Sequence, residues 1–118
     1  RHYAPKAELT IISGEEEAVV KRINALLKEA EKKGLRSGVI ATDATAGRYG
    51  ATFVKSAGSR EREEETAREL YRILREFDEE EVDVIYSEAF EESGIGQAVM
   101  NRLLKAAGHR MEMAGGAV

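Results

Sequence analysis

The sequence predicts a three-layer α/β domain on a mostly parallel sheet of four to five strands. Short β-rich runs alternate with segments whose apolar residues recur every three or four positions. Gly and Ser-Gly turns separate most of these segments. The chain has 118 residues, 42% of them hydrophobic, which suits one domain with one real core.

Residues 1–6 show no periodicity, and Pro5 restricts Ala4 to extended backbone. They read as an extended lead-in. Leu9, Ile11 and Ile12 form a first strand, closed by Ser13-Gly14. Ser13 with Glu16 has the spacing of a capping box. Ala18, Val19, Ile23, Leu26, Leu27 and Ala30 then mark one face of a helix, and Gly34 suits its C′ position. Val39 and Ile40, among small residues over 37–42, suit a central strand. Residues 51–55 read as a third strand. The polar link over 43–50 is short for a parallel crossover, which usually needs about a dozen residues, so the placement of that strand stays open.

Ser59 is placed to cap the next helix, and the charge run Arg60 to Glu65 reads as its solvated first turns. Ala67, Leu70, Tyr71, Leu74 and Phe77 form its apolar stripe. Asp78 to Glu81 make an acidic turn. Val82, Val84, Ile85 and Tyr86 form a fourth strand. Ser93-Gly94 opens a last helix through about Ala107, which Gly108 ends. Residues 110–113 suit a short edge strand, and 114–118 a frayed tail. The organisation is thus a lead-in over 1–6, a domain over 7–113 and a flexible tail over 114–118.

Composition excludes several function classes. There is no Cys, so disulfides, thiolate zinc sites and a Cys nucleophile are ruled out. His2 and His109 are too few for a His-rich metal site. The net charge of −4 argues against a broad nucleic-acid or anionic-membrane surface, and no apolar run approaches the ~20 residues of a membrane span. The lack of Cys fits a reducing compartment. The chain starts at Arg1 rather than Met, which suggests a fragment with a partner domain before it.

Three glycine turns are candidate ligand sites, because parallel sheets bind ligands beyond their strand ends, near helix N-termini. At Ser13-Gly14 a phosphate would face Glu15, Glu16 and Glu17, which instead suit the helix dipole. At 56–60, Ser59 and Arg60 make a weak anion site, with capping the simpler role. Ser93-Gly94-Ile95-Gly96 begins like a dinucleotide fingerprint, but Val99 stands where its third glycine belongs. Glu88 with Glu91 is a carboxylate pair of little weight among 22 acidic residues. No residue is assigned a catalytic role. In the last helix, Ile95, Val99, Leu103 and Ala106 form one stripe, and Met100, Leu104 and Ala107 a second. A helix apolar on two sides is either central or a docking face. Met100, Asn101, Arg102 and Leu104 are its candidate docking residues.

Three segments together resemble one family. They are Arg1-His2-Tyr3-Ala4-Pro5-Lys6, Leu70-Tyr71-Arg72-Ile73-Leu74-Arg75-Glu76-Phe77-Asp78, and the run from Gly94-Ile95-Gly96-Gln97-Ala98-Val99-Met100-Asn101-Arg102 to Ala107. The chain resembles the C-terminal domain of the two-domain threonylcarbamoyl-AMP synthases, whose N-terminal catalytic domain is of the YrdC type. The acidic run Glu15 to Glu17 departs from that pattern. The resemblance implies a Rossmann-like, cytoplasmic accessory domain and assigns it no cofactor of its own. The parent enzyme would join L-threonine, bicarbonate and ATP, with magnesium, into threonylcarbamoyl-AMP for transfer RNA modification. The partner would be the catalytic domain of the same chain. Arg1, His2, Tyr3 and Pro5 would lie in a linker that closes over the catalytic pocket and keeps water from a reactive adenylate. Two other readings remain: a nucleotide-binding or ATP-hydrolysing module, and an oligomerisation domain that pairs through Met100 and Leu104 as a homodimer.

Overall fold

A computed structural model describes residues 4–59, 63–90 and 95–115. The elements run β1 (Glu8–Ser13), α1 (Glu16–Lys32), β2 (Ser37–Ala41), a 3-10 turn (Ala46–Arg48), β3 (Phe53–Ser56), α2 (Glu63–Glu79), β4 (Val84–Glu88), α3 (Ile95–Ala106) and β5 (Met111–Met113). The five strands form one sheet in the order β3-β2-β4-β1-β5. Every strand pair in it is parallel. This is the Rossmann-like three-layer arrangement that the alternation of strands and helices predicts.

The layers follow from the handedness of parallel crossovers. From β1 to β3 the chain moves toward one sheet edge, and from β3 to β5 it moves back. Keeping each crossover right-handed then places α1 on one face and α2 and α3 on the other. The core divides the same way. Ile12, Val39 and Ala41 meet Val19, Ile23 and Leu27 of α1. Leu9, Ile11, Ile40 and Ile85 meet Leu70, Ile73 and Phe77 of α2 and Val99, Met100 and Leu103 of α3.

The third strand, left open by the sequence, pairs parallel with β2 in the register Gly38 with Phe53 through Ala41 with Ser56. Its link is short because β3 is the immediate neighbour of β2 and a 3-10 turn replaces the crossover helix. Ala46, Tyr49 and Ala51 of that link pack on the α1 side. Gly38 is required by packing: a Cβ there would sit 2.7 Å from Cε1 of the Phe77 ring.

All three described helices end in the same hydrogen-bond pattern. The N–H of Leu35 donates to Ala30 O and that of Gly34 to Glu31 O; Val82 donates to Phe77 O and Glu81 to Asp78 O; His109 donates to Leu104 O and Gly108 to Lys105 O. These are Schellman motifs, whose C′ residue adopts a left-handed backbone. Gly34 (φ 74°) and Gly108 (φ 59°) occupy C′ as the sequence predicts, but Glu81 holds φ 56° at the end of α2.

Three expectations are corrected. Ser13 does not cap α1: the N-cap is Glu15, without a side-chain cap bond, and Ser13 ends β1 with its hydroxyl donating to Glu112 O at 3.4 Å. The fourth strand begins at Val84 rather than Val82, because Val82 closes the α2 motif and packs with Phe77. The tail is ordered at its start. Ala114 is buried, and its N–H donates to Ser13 O at 2.7 Å.

Candidate functional site

Because all strands run parallel, their carboxyl ends line one edge, and the chain diverges there to opposite faces after β2 and β4. That divergence opens a crevice where ligands commonly bind in such sheets. Glu88, the last residue of β4, is buried there, with Thr42, Thr45 and Tyr49 from the β2–β3 link. Its Oε2 accepts hydrogen bonds from Thr45 Oγ1 and Tyr49 Oη, each at 2.5 Å. The Thr42 and Thr45 hydroxyls stand 3.1 Å apart. Burial, reinforced by the bond to Glu88, pushes the Tyr49 phenol far above its usual range, so it stays a donor at any physiological pH. This cluster ties the 3-10 turn to the central strand. The sequence pairs Glu88 with Glu91, which lies outside the described residues. The missed signal is an acidic residue closing a β-rich run that starts at Val84.

Beside this cluster an open cleft of about 370 Å³ lies between the ends of β2 and β3 and the start of α2, lined by Asp43, Ser56, Gly58, Glu65, Arg68 and Glu69 among others. Ser56 Oγ donates to Asp43 Oδ1 at 2.6 Å and accepts from the Gly58 N–H at 3.0 Å. Ser59 follows Gly58 in the chain and is half-buried; Arg60, its expected partner in an anion site, lies outside the described residues. The turn that would show whether Ser59 caps α2 lies there too. At Ser13-Gly14 the space is taken: a Cβ on Gly14 would lie 2.9 Å from the Ala114 carbonyl oxygen. The turn's carboxylates serve α1 instead. The Arg48 guanidinium grips Glu17 at 2.8 and 2.9 Å and draws its carboxyl below the usual range. Of the dinucleotide-like turn, Ser93 and Gly94 lie outside the described residues, and Gly96 is buried inside α3. Among the described residues no three carboxylate or imidazole groups converge as metal ligands, and no helix is long and apolar enough to cross a membrane.

The opposite edge carries the lead-in. Arg1, His2 and Tyr3 lie outside the described residues. Pro5 is half-buried, Lys6 exposed and Ala7 buried. The Lys6 N–H donates to Asp78 Oδ1 at 2.9 Å. The expected docking face of α3 is largely turned inward. Met100 is only 1% exposed and belongs to the core, and Leu104 packs against the same core. Asn101 is exposed, and Arg102 is half-buried beside Leu70, Tyr71 and Leu74. Thus Val99, Leu103 and Ala106 of one stripe and Met100, Leu104 and Ala107 of the other face this domain's own core. The large apolar side chains exposed among the described residues are Leu35, Met111 and Met113.

Fold and edge geometry together define a Rossmann-like α/β domain with an extended lead-in segment bonded to Asp78 at its amino edge. Residues 1–108 match the family model described as the C-terminal domain of threonylcarbamoyl-AMP synthase, and the chain belongs to that family. It is 48% identical over 110 residues to the threonylcarbamoyl-AMP synthase of Bacillus subtilis, covering 93% of this chain and 31% of that protein. The Pyrococcus abyssi synthase is 42% identical over 111 residues, covering 94% and 31% respectively. The chain thus spans about a third of the length of the curated relatives it matches. Among solved structures it is similar to P. abyssi Sua5 complexed with L-threonine, with TM-score 0.84 and 40% identity over 97% of this chain and 32% of that one. It is similar to a P. abyssi Sua5 in which an adjacent histidine and tyrosine are both replaced by alanine, with TM-score 0.83 and 38% identity over 93% and 30%. It also matches a C-terminal Sua5 domain from Pyrococcus horikoshii, with TM-score 0.75 and 38% identity over 94% of this chain and all of that one.

Proposed function

We propose that this chain is the accessory domain of a threonylcarbamoyl-AMP synthase and that residues 1–6 are the linker that closes over the catalytic pocket. In this reading a YrdC-type catalytic domain precedes Arg1 and joins L-threonine, bicarbonate and ATP into threonylcarbamoyl-AMP and pyrophosphate in the cytoplasm. The product supplies the threonylcarbamoyladenosine of transfer RNA. ATP and magnesium belong to that catalytic pocket, and the present domain supplies no reacting group. An adenylate intermediate is exposed to hydrolysis, so a covering segment protects it.

One observation carries the reading. In a chain of this family, the lead-in leaves the domain from a fixed base, with the Lys6 N–H bonded to Asp78. The chain's one His-Tyr pair, His2-Tyr3, lies just ahead of that base, and an adjacent His and Tyr were replaced in the P. abyssi variant. Arg1 offers a fork for phosphate or carboxylate, and Tyr3 a ring and a hydroxyl. The alternative of a nucleotide-binding module is disfavoured by charge, because Asp43, Glu65 and Glu69 share the carboxyl-edge cleft with Arg68 and repel a triphosphate. In the intact enzyme, Tyr3→Ala is expected to slow pyrophosphate release about tenfold or more, the order of a lost packing and hydrogen-bonding group in a closed site. Steady-state kinetics equal to the unsubstituted enzyme would refute Tyr3 as a lid residue.

A further inference from the structure

We propose that Asp78 is a positioning residue for the linker: its carboxylate sets the direction in which residues 4–6 leave the domain. This rests on the reading of that segment as a lid.

The geometry fixes the chain at consecutive residues. Ala7 is 8% exposed and sits in the core cluster that holds Phe77 and Val82. One residue earlier, the Lys6 N–H donates to Asp78 Oδ1 at 2.9 Å. Next comes Pro5, whose ring fixes φ near −65° and keeps Ala4 extended. The segment therefore leaves a rigid base with little freedom over its first residues, and its far end carries Arg1, His2 and Tyr3.

The acceptor is held as firmly as the donor. Asp78 lies in the last turn of α2, and its own carbonyl accepts the Glu81 N–H at 3.1 Å in the motif that ends the helix. Val82 anchors that motif by donating to Phe77 O and packing beside it. The motif forms although Glu81 must adopt φ 56°, a conformation that disfavours side chains other than Gly. Helix end and lead-in thus meet through the Asp78 carboxylate and through the packing of Ala7 with Phe77 and Val82. An open cleft of about 320 Å³ beside them is lined by Lys6, Ala7, Asp78, Glu81, Val82 and Asp83, so the contact stands at the surface from which the linker departs.

The test uses the full-length enzyme with Asp78→Ala, Asp78→Asn and Tyr3→Ala. Two readouts are followed: hydrogen exchange of the Lys6 amide, and kcat against KM for pyrophosphate release. With Asp78→Ala, the Lys6 amide is expected to exchange about tenfold faster and kcat to fall by about tenfold, the order of one hydrogen bond to a charged group. Asp78→Asn keeps an oxygen acceptor and is expected to stay within about twofold on both. The proposal is overturned if Lys6 exchange is unchanged by Asp78→Ala, or if Asn does no better than Ala. It is also overturned if Asp78→Ala leaves kcat intact while Tyr3→Ala lowers it. If Tyr3→Ala has no effect, the lid reading fails; Lys6 exchange then decides on its own whether Asp78 directs the linker.

Discussion

Glu81 occupies a position that Gly34 and Gly108 fill at the other two described helix ends. A left-handed backbone brings the Cβ of an L-residue against its own carbonyl, at about 1–2 kcal/mol. The hydrogen bonds of the motif and the burial of Val82 against Phe77 offset that cost. Glu81→Gly removes the clash but gives the unfolded chain more freedom, so the net gain is expected at about 0.5–1 kcal/mol in urea unfolding. A variant no more stable than the parent would show that Glu81 makes a compensating contact. Glu88 shows the opposite economy. A buried carboxylate is tolerable only when donors face it, and Thr45 and Tyr49 supply two at 2.5 Å.

At the scale of elements, the sequence revealed what depends on local chemistry. The strand runs, the 3.6-residue stripes and the glycines at C′ positions of α1 and α3 were legible because each reflects neighbours along the chain. The start of β4 is less legible for the same reason: no glycine marks the end of α2, and Val82 looks like strand until its N–H is seen bonded to Phe77 O. The short β2–β3 link also escaped, since a 3-10 turn that buries Tyr49 has no periodicity. The inward face of α3 was undecidable from one helix, because Met100 is core only once Leu70 and Phe77 of α2 lie beside it. The buried Glu88 depends on a contact 43 residues away, with Thr45, and no local pattern announces it. Packing across elements gives a sharp test at Gly38. The Phe77 ring lies where a Cβ would stand, so Gly38→Ala forces the buried ring to move and is expected to destabilise the domain by about 1–3 kcal/mol. Thermal or urea unfolding indistinguishable from the parent would mean that the ring can shift freely.

At the scale of the whole chain, the domain is compact. Its radius of gyration of 13.0 Å is that of a compact chain of this length, about 13–14 Å, and the similar P. horikoshii structure consists of such a domain alone. The buried carboxylate is bonded to Thr45 and Tyr49, the carboxyl-edge cleft is rich in acidic groups, and at the amino edge the lead-in is bonded to Asp78 through the Lys6 N–H. The most direct measurement is pyrophosphate release by the full parent enzyme, compared with a truncation ending just before Arg1, both verified as folded by circular dichroism. Loss of activity by about tenfold or more in the truncation is the predicted result, because in the proposed reading the linker and its anchoring domain complete the closed pocket. Full activity without them would contradict the lid and assign the domain to regulation, assembly or stability.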